Sequence, residues 1–402
     1  MIRELYQTVL QETSLNVTSG EIDALRKKNI VKSGCRVYDR GLVGVSGTLG
    51  APTEETWAQA EANLSREIPC PWGPETGKVR REHYGKALSP EAFIARAEGL
   101  METLRREFPR FVFSNKLSWT EEEVRLTNDG GLDYIWQDAA GVVSLLVRAE
   151  DSVSIFDTVL ESMERDFDTE RILTQLRELL TAHEKLLPMP EGEKLPVLFT
   201  PGLFARAWSE GLSARKLARK ASPLCGMEGK QIFSRDFTLR VDRSRDNLGT
   251  PFFDAEGTVL PGDVCPLIEN GVLVQGYADK KCAGEYGVAS TSAGEGAYDG
   301  VPGLSMPPLL AKPAERTLEE LLDGRPALYV MADGGDVTPD GSFASPVQVA
   351  YLYQNGRLLG RLPEFSIRGS LFDILGKDFL GCTRDKPFDG NHQCVAEMTL
   401  VR

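Results

Sequence analysis

The chain has 402 residues, 41% hydrophobic and 26% charged, and its 46 Lys plus Arg against 59 Asp plus Glu leave a formal charge of −13. That is a globular composition with apolar material for more than one core, and two domains are expected at this length. The acidic excess argues against nucleic-acid binding by bulk electrostatics, and no apolar run nears the ~20 residues that cross a bilayer.

Met1-Ile2-Arg3-Glu4-Leu5-Tyr6 alternates charge and bulk, unlike a secretory leader, so a cytoplasmic location is expected. Ile2, Leu5, Tyr6, Val9 and Leu10 recur at helical spacing and predict a short amphipathic helix. Residues 13–19 and 34–39 read as strands, and Gly41, Gly44, Gly47 and Gly50 punctuate the stretch after them. Thr53 is a suitable cap for a helix reaching Leu64, and Pro69, Pro71 and Pro74 mark a loop beyond it. Ser89-Pro90 predicts another helix start, with Phe93, Ala97, Leu100, Met101, Leu104 and Phe108 on one face.

Residues 110–149 change period. Strands are expected over 111–113, 124–127, 132–136 and 142–147, in an antiparallel meander turned at 128–131 and 138–141. Asp168 then opens a helix whose Ile172, Leu176, Leu179, Leu180, His183 and Leu187 face one way. Pro188, Pro190 and Pro196, with Gly192 and charges between, suit a surface connection, and the domain border is placed there. Beyond it, 197–199 reads as a buried strand, and Thr200-Pro201 opens a helix running to about Arg219. The rest is mostly β, with Asn270-Gly271 and Asn355-Gly356 as two-residue hairpin turns and 284–303 as a long loop. The expected class is α+β. A first domain over 1–190 combines helices with an antiparallel meander, and a β-rich domain over 197–402 has mostly antiparallel strands.

The chemistry-bearing residues are few. The three histidines, His83, His183 and His392, are 100 and 209 residues apart, so no two share a helix face and no HExxH or HExxxH motif exists. The seven cysteines, at 35, 70, 225, 265, 282, 382 and 394, form no CxxC pair and read as reduced thiols. Cys382, His392 and Cys394 are the candidate soft metal ligands, although their spacing matches no common zinc site. Ser46 in Gly44-Val45-Ser46-Gly47 lacks the last residue of a nucleophile elbow. The glycines of 294–300 are interleaved with Glu295 and Asp299, the wrong sign for a phosphate. Asp254 and Glu256 alternate near a strand end, where paired carboxylates do acid/base work or, more plainly, bond turn amides. Arg206, Arg215, Lys216, Arg219 and Lys220 form a basic run suited to an acidic partner or to a solvated helix face.

The ordered series of fragments carries more than any one of them. Residues 13–22 (TSLNVTSGEI) and 34–38 (GCRVY) are followed by 251–257 (PFFDAEG), 266–271 (PLIENG), 290–294 (STSAG), 334–337 (GGDV) and 367–375 (IRGSLFDIL). This series resembles the TldD/PmbA family, named as modulators of DNA gyrase and classed as peptidases. The family pairs a TldD type, which holds zinc through an HExxxH helix and a later Cys, with a PmbA (TldE) type that lacks the motif. Residues 200–219, which would carry that helix, contain no histidine, so the chain resembles the PmbA type. Departures are Ala255 in place of an acid, the 290–293 loop, and an insertion over 70–84.

The resemblance implies a subunit of a cytoplasmic metallopeptidase dimer, itself without catalytic residues or a cofactor. It would help enclose a chamber for unfolded or short peptides. Asp254, Glu256, Ser290 and Thr291 are the expected cleft residues. Expected partners are a second copy or a metal-bearing TldD-type subunit, and a peptide substrate; nucleic acid and membrane are not. The alternatives are a stand-alone homodimeric peptide- or protein-binding protein and, last, a metal-independent Ser or Cys hydrolase.

Overall fold

The computed structural model describes residues 1–83, 88–388 and 390–401. Tyr84, at the end of the 70–84 stretch, lies outside them. The first half is dominated by strands β1 (Ile2–Thr18), β2 (Glu21–Asp39), β3 (Leu42–Leu49), β4 (Gly77–Glu82), β5 (Phe111–Asn128), β6 (Leu132–Ala149) and β7 (Thr158–Glu164). They form one sheet of order β3-β2-β1-β5-β6-β4, with β7 also on β6. Pairing is antiparallel except between β4 and β6. Helices α1 (Glu54–Ala62), α2 (Pro90–Glu107) and α3 (Thr169–His183) are capped by Thr53, Ser89 and Asp168, as their sequences predict.

Two expectations fail here. The opening helix is instead β1, an interior strand paired with β2 from Ile2↔Tyr38 to Thr18↔Glu21 and on its other side with β5. Its residues are partly covered on both faces, which blurs alternation and lets helical spacing arise by chance. Residues 138–141 are not a turn but the middle of β6, so the expected four-strand meander is two long strands. Gly141 serves packing: a Cβ there would lie 2.3 Å from the Phe167 ring.

The second half contains β8 (Lys194–Phe199), α4 (Ala205–Gly211), α5 (Ala214–Ala218), β9 (Leu239–Asp242), β10 (Val264–Glu269), β11 (Val272–Leu273), α6 (Lys280–Tyr286), β12 (Gly294–Glu295), β13 (Gly303–Leu304) and β14 (Leu309–Ala311). Then come α7 (Leu318–Leu322), β15 (Ala327–Asp333), β16 (Asp336–Val337), β17 (Ser342–Gln354), β18 (Arg357–Arg361), β19 (Phe365–Ser370), α8 (Leu371–Ile374), β20 (Phe379–Cys382) and β21 (Cys394–Val401). Strands β15, β8, β21, β19 and β17 pair in that order, and β17 returns to pair with β15, so the five close into a ring. Both Asn-Gly turns form, Asn270 at φ 48° and Asn355 at φ 53° being in the left-handed region that such hairpins need.

The single helix expected from 200 to about 219 is broken into a 3₁₀ turn (Pro201–Phe204), α4 and α5. The break has a cause. The Tyr277 N–H donates to the Leu212 carbonyl (2.7 Å) and the Ala214 N–H to the Tyr277 carbonyl (3.0 Å), drawing 212–214 into a bridge. The expected loop over 284–303 begins in α6 and contains the two-residue strand β12 before it reaches β13.

The mixed α+β class holds. Helices α2 and α3 lie between the long sheet and the ring: Leu15, Phe93, Leu104 and Leu180 share an apolar cluster with Leu198, Tyr351 and Val395. No helix among the described residues is long and apolar enough to cross a membrane.

Candidate functional site

Parallel pairing between β8 and β15 exists at only two positions, Leu328↔Val197 and Tyr329↔Leu198. Beyond them lies a groove of about 280 Å³. Val197, Phe199, Leu203, Val330 and Ile367 give it an apolar lining, and Glu161, Asp333 and Gln393 add polar groups. Each polar residue is set by a local device. Glu161 stands on β7 opposite Ser144 of β6. Asp333 ends β15 after two register shifts and accepts a hydrogen bond from the Ser345 hydroxyl. Gly335 packs against Ser345 so closely that a Cβ would stand 2.1 Å from the Ser345 Cβ, which explains a glycine here. Gln393 is fixed by its backbone: its N–H donates to Thr383 Oγ1 (2.9 Å), and its carbonyl accepts the Thr383 N–H (2.8 Å).

The segment after β8 borders this groove through Thr200 and Leu203. Its basic run is largely neutralised by neighbours. Arg206 pairs with Asp336, Lys216 with Glu210, and Arg219 with Glu285 (3.2 Å) and the Tyr286 hydroxyl (2.7 Å). These contacts account for the run as a solvated, ion-paired face.

The candidate soft ligands do not converge. Cys382 and Cys394 face each other across β20 and β21, and both are buried. A hydrogen bond with Cys382, reinforced by burial, pushes the Cys394 thiol well above the usual range, which disfavours the thiolate a metal needs. His392 points Nδ1 at the Thr383 carbonyl (2.9 Å), and burial lowers its pKa. His183 Nδ1 shares a hydrogen bond with the Tyr351 hydroxyl (2.8 Å), and burial brings its pKa down to about 4. His83 packs edge-on to Trp136, with ring centroids 6.5 Å apart, and burial lowers its pKa too. Among the described residues no group of three His, Cys, Asp or Glu side chains is placed to hold a metal ion. Among the described residues, the donor set does not fit a zinc centre.

Asp254, Glu256, Ser290 and Thr291 come together, but not in the groove. Asp254 is buried and accepts from the amides of Glu256 (3.0 Å), Thr258 (2.8 Å) and Gly294 (2.9 Å). Burial nonetheless raises its pKa to about 6, against the opposing pull of the Arg243 guanidinium. Glu256 accepts the Lys280 N–H (2.8 Å), and burial raises its pKa to about 7. Thr291 Oγ1 accepts the Ala278 N–H (2.9 Å), and the Ser290 hydroxyl donates to the Ala278 carbonyl (3.4 Å). Both acids accept from backbone amides, Asp254 in its own turn and at β12, Glu256 at the start of α6.

Two buried arginines, which sequence reasoning missed, complete this cluster. Arg243 donates to the carbonyls of Pro251 (3.2 Å), Phe253 (3.1 Å) and Ser292 (2.9 Å) and to the Glu295 carboxylate (2.7 Å). Arg36 of β2 donates to Glu4 (3.3 Å) and to the Ala255 carbonyl, joining the long sheet to the 251–258 turn. For Arg36 the available signal was a lone arginine between Cys35 and Val37; Arg243, just past the end of β9 with Arg240 and Arg245 close by, carried none. Glu161, Asp333 and Gln393 had no such signal, since they meet only through the fold.

Comparison with known proteins places this architecture. A family model described as the PmbA/TldA metallopeptidase C-terminal domain matches residues 192–396. An uncharacterised protein of Methanocaldococcus jannaschii is 28% identical over 273 residues, 65% of this chain and 62% of that one. A protein of Methanothermobacter thermautotrophicus named metalloprotease is 27% identical over 54% of this chain and 50% of its own length. The chain thus spans between half and about three fifths of these curated relatives. The crystal structure of TldE from Thermococcus kodakarensis shares the fold, with a TM-score of 0.79 at 21% identity over 100% of this chain and 96% of that one.

Proposed function

Because the chain belongs to the PmbA/TldD metallopeptidase family, we propose that it is a PmbA/TldE-like subunit of a TldD/TldE-type metallopeptidase, one that holds peptide without cutting it. The observation that carries this reading is the state of its imidazoles. All three are buried or half-buried, lie in separate parts of the fold, and pack against or bond to neighbours instead of facing the groove beside β8. A hydrolytic zinc needs three protein ligands around an open position, and the described residues assemble no such set.

What the chain supplies in this reading is a binding surface. The groove beside β8 and β15 combines an apolar lining with a few polar groups, the character of a site for an extended peptide. The Asp254–Arg243 cluster is structural, fastening the 251–258 turn and the loops after it to the long sheet. Hydrolysis belongs to a metal-bearing TldD-type partner, with which this chain encloses a cytoplasmic chamber.

The experiment is a cleavage assay on an unstructured peptide, using the purified chain alone and then mixed with a metal-bearing relative from the same genome. Activity is expected only in the mixture and is expected to vanish with chelator. Robust chelator-sensitive cleavage by this chain alone overturns the assignment.

A further inference from the structure

We propose that the groove beside β8 selects a lysine or arginine side chain of an extended peptide, held between Glu161 and Asp333. This deepens the peptide-binding reading above and rests on it. The residues lining the groove include two carboxylates, from different elements, and no Lys, Arg or His. Glu161 makes no ion pair or side-chain hydrogen bond among the described residues, and Asp333 makes one, to the Ser345 hydroxyl. Two carboxylates with no cation among the lining residues favour an occupant of opposite charge.

A second, independent feature points the same way. Gln393 is 3% exposed and lines the groove, with its backbone committed to Thr383. Its side-chain amide makes no hydrogen bond among the described residues, so it is available to an occupant of the groove that it lines. A peptide backbone offers both the donor and the acceptor that this amide can use. Phe199, Val330 and Ile367 meanwhile give an apolar surface on which the methylene stem of a basic side chain can lie while its charged head reaches the acids. At about 280 Å³ the space is at the lower edge of the ~300–1,000 Å³ usual for ligand pockets. That suits one long side chain with its adjoining backbone.

Fluorescence anisotropy tests this with two labelled, unstructured peptides identical except for a central Lys or Gln. The Lys peptide is expected to bind about tenfold tighter to the wild-type chain. The double variant Glu161→Gln/Asp333→Asn removes that difference. The single variant Glu161→Gln, at an exposed position, narrows it, and its melting curve checks that the fold persists. Glu55→Gln, on the distant helix α1, preserves the difference and so separates local charge from the net −13. Equal binding of both peptides, or a preference that survives the double variant, overturns the selectivity and leaves the peptide-binding reading standing. Binding of neither peptide overturns that reading itself.

Discussion

The carbonyl of Tyr298 lies directly over the α-carbon of Gly34: a Cβ at Gly34 would stand 1.8 Å from the Tyr298 oxygen. One strand over, a Cβ at Gly47 would meet the Asp299 side chain at 2.4 Å. The Lys32 ammonium sits 5.9 Å from the Tyr298 ring centroid. The loop between β12 and β13 is therefore seated on β2 and β3 by two glycines and a cation–π contact.

Gly34→Ala is expected to destabilise the protein by at least ~2–3 kcal/mol, because backbone on both sides must move. The control is Gly99→Ala in helix α2, where nothing lies within 4 Å; it is expected to stabilise by ~0.5–1 kcal/mol. Urea titration of the two variants reads the contrast. Equal effects would mean that the loop does not need the close approach.

Arg243 is expected to be irreplaceable by lysine. Its planar fork reaches three carbonyls and a carboxylate from one buried position, and a lysine ammonium cannot match that geometry. Arg243→Lys should lower stability by ~2–4 kcal/mol, leaving buried carbonyls unpaired. Hydrogen exchange should show the loss first in the amides of residues 252–258 and 292–295. A melting temperature unchanged from wild type would refute the role given to this side chain.

The raised carboxyl pKa values set a sign for pH dependence. Asp254 and Glu256 titrate near 6 and near 7 in the folded chain, against ~3.9 and ~4.3 unfolded. Between about pH 4 and 7 the folded state thus holds more protons, so these groups' contribution to stability is present at low pH and is lost as pH rises through 7. Glu256→Gln keeps an acceptor for the Lys280 amide and removes one titration. Its stability relative to wild type is expected to climb from pH 5 to pH 8, by at most ~3 kcal/mol. Parallel pH profiles for the two proteins would contradict the buried assignment.

The features legible in the sequence are those written locally. Thr53, Ser89 and Asp168 cap helices through their own side chains, and Asn270-Gly271 and Asn355-Gly356 turn hairpins through their own φ angles. Long-range pairing was not legible. Residues 2–10 obey the partners β2 and β5 and not their own spacing, and 212–214 are diverted by Tyr277, more than sixty residues away. The site divides in the same way. Asp254 and Glu256 were visible as a local pair, yet their role depends on Arg243 and Arg36, and the groove exists only because β7 and β15 come together.

Metal analysis of the native, tag-free chain tests most directly whether this polypeptide holds a hydrolytic metal by itself. Elemental analysis after exposure to zinc and removal of the excess should find no stoichiometric ion, in wild type and in Cys394→Ala alike. One zinc per chain, retained in the wild type and lost when Cys394 or His392 is replaced, would contradict the subunit assignment.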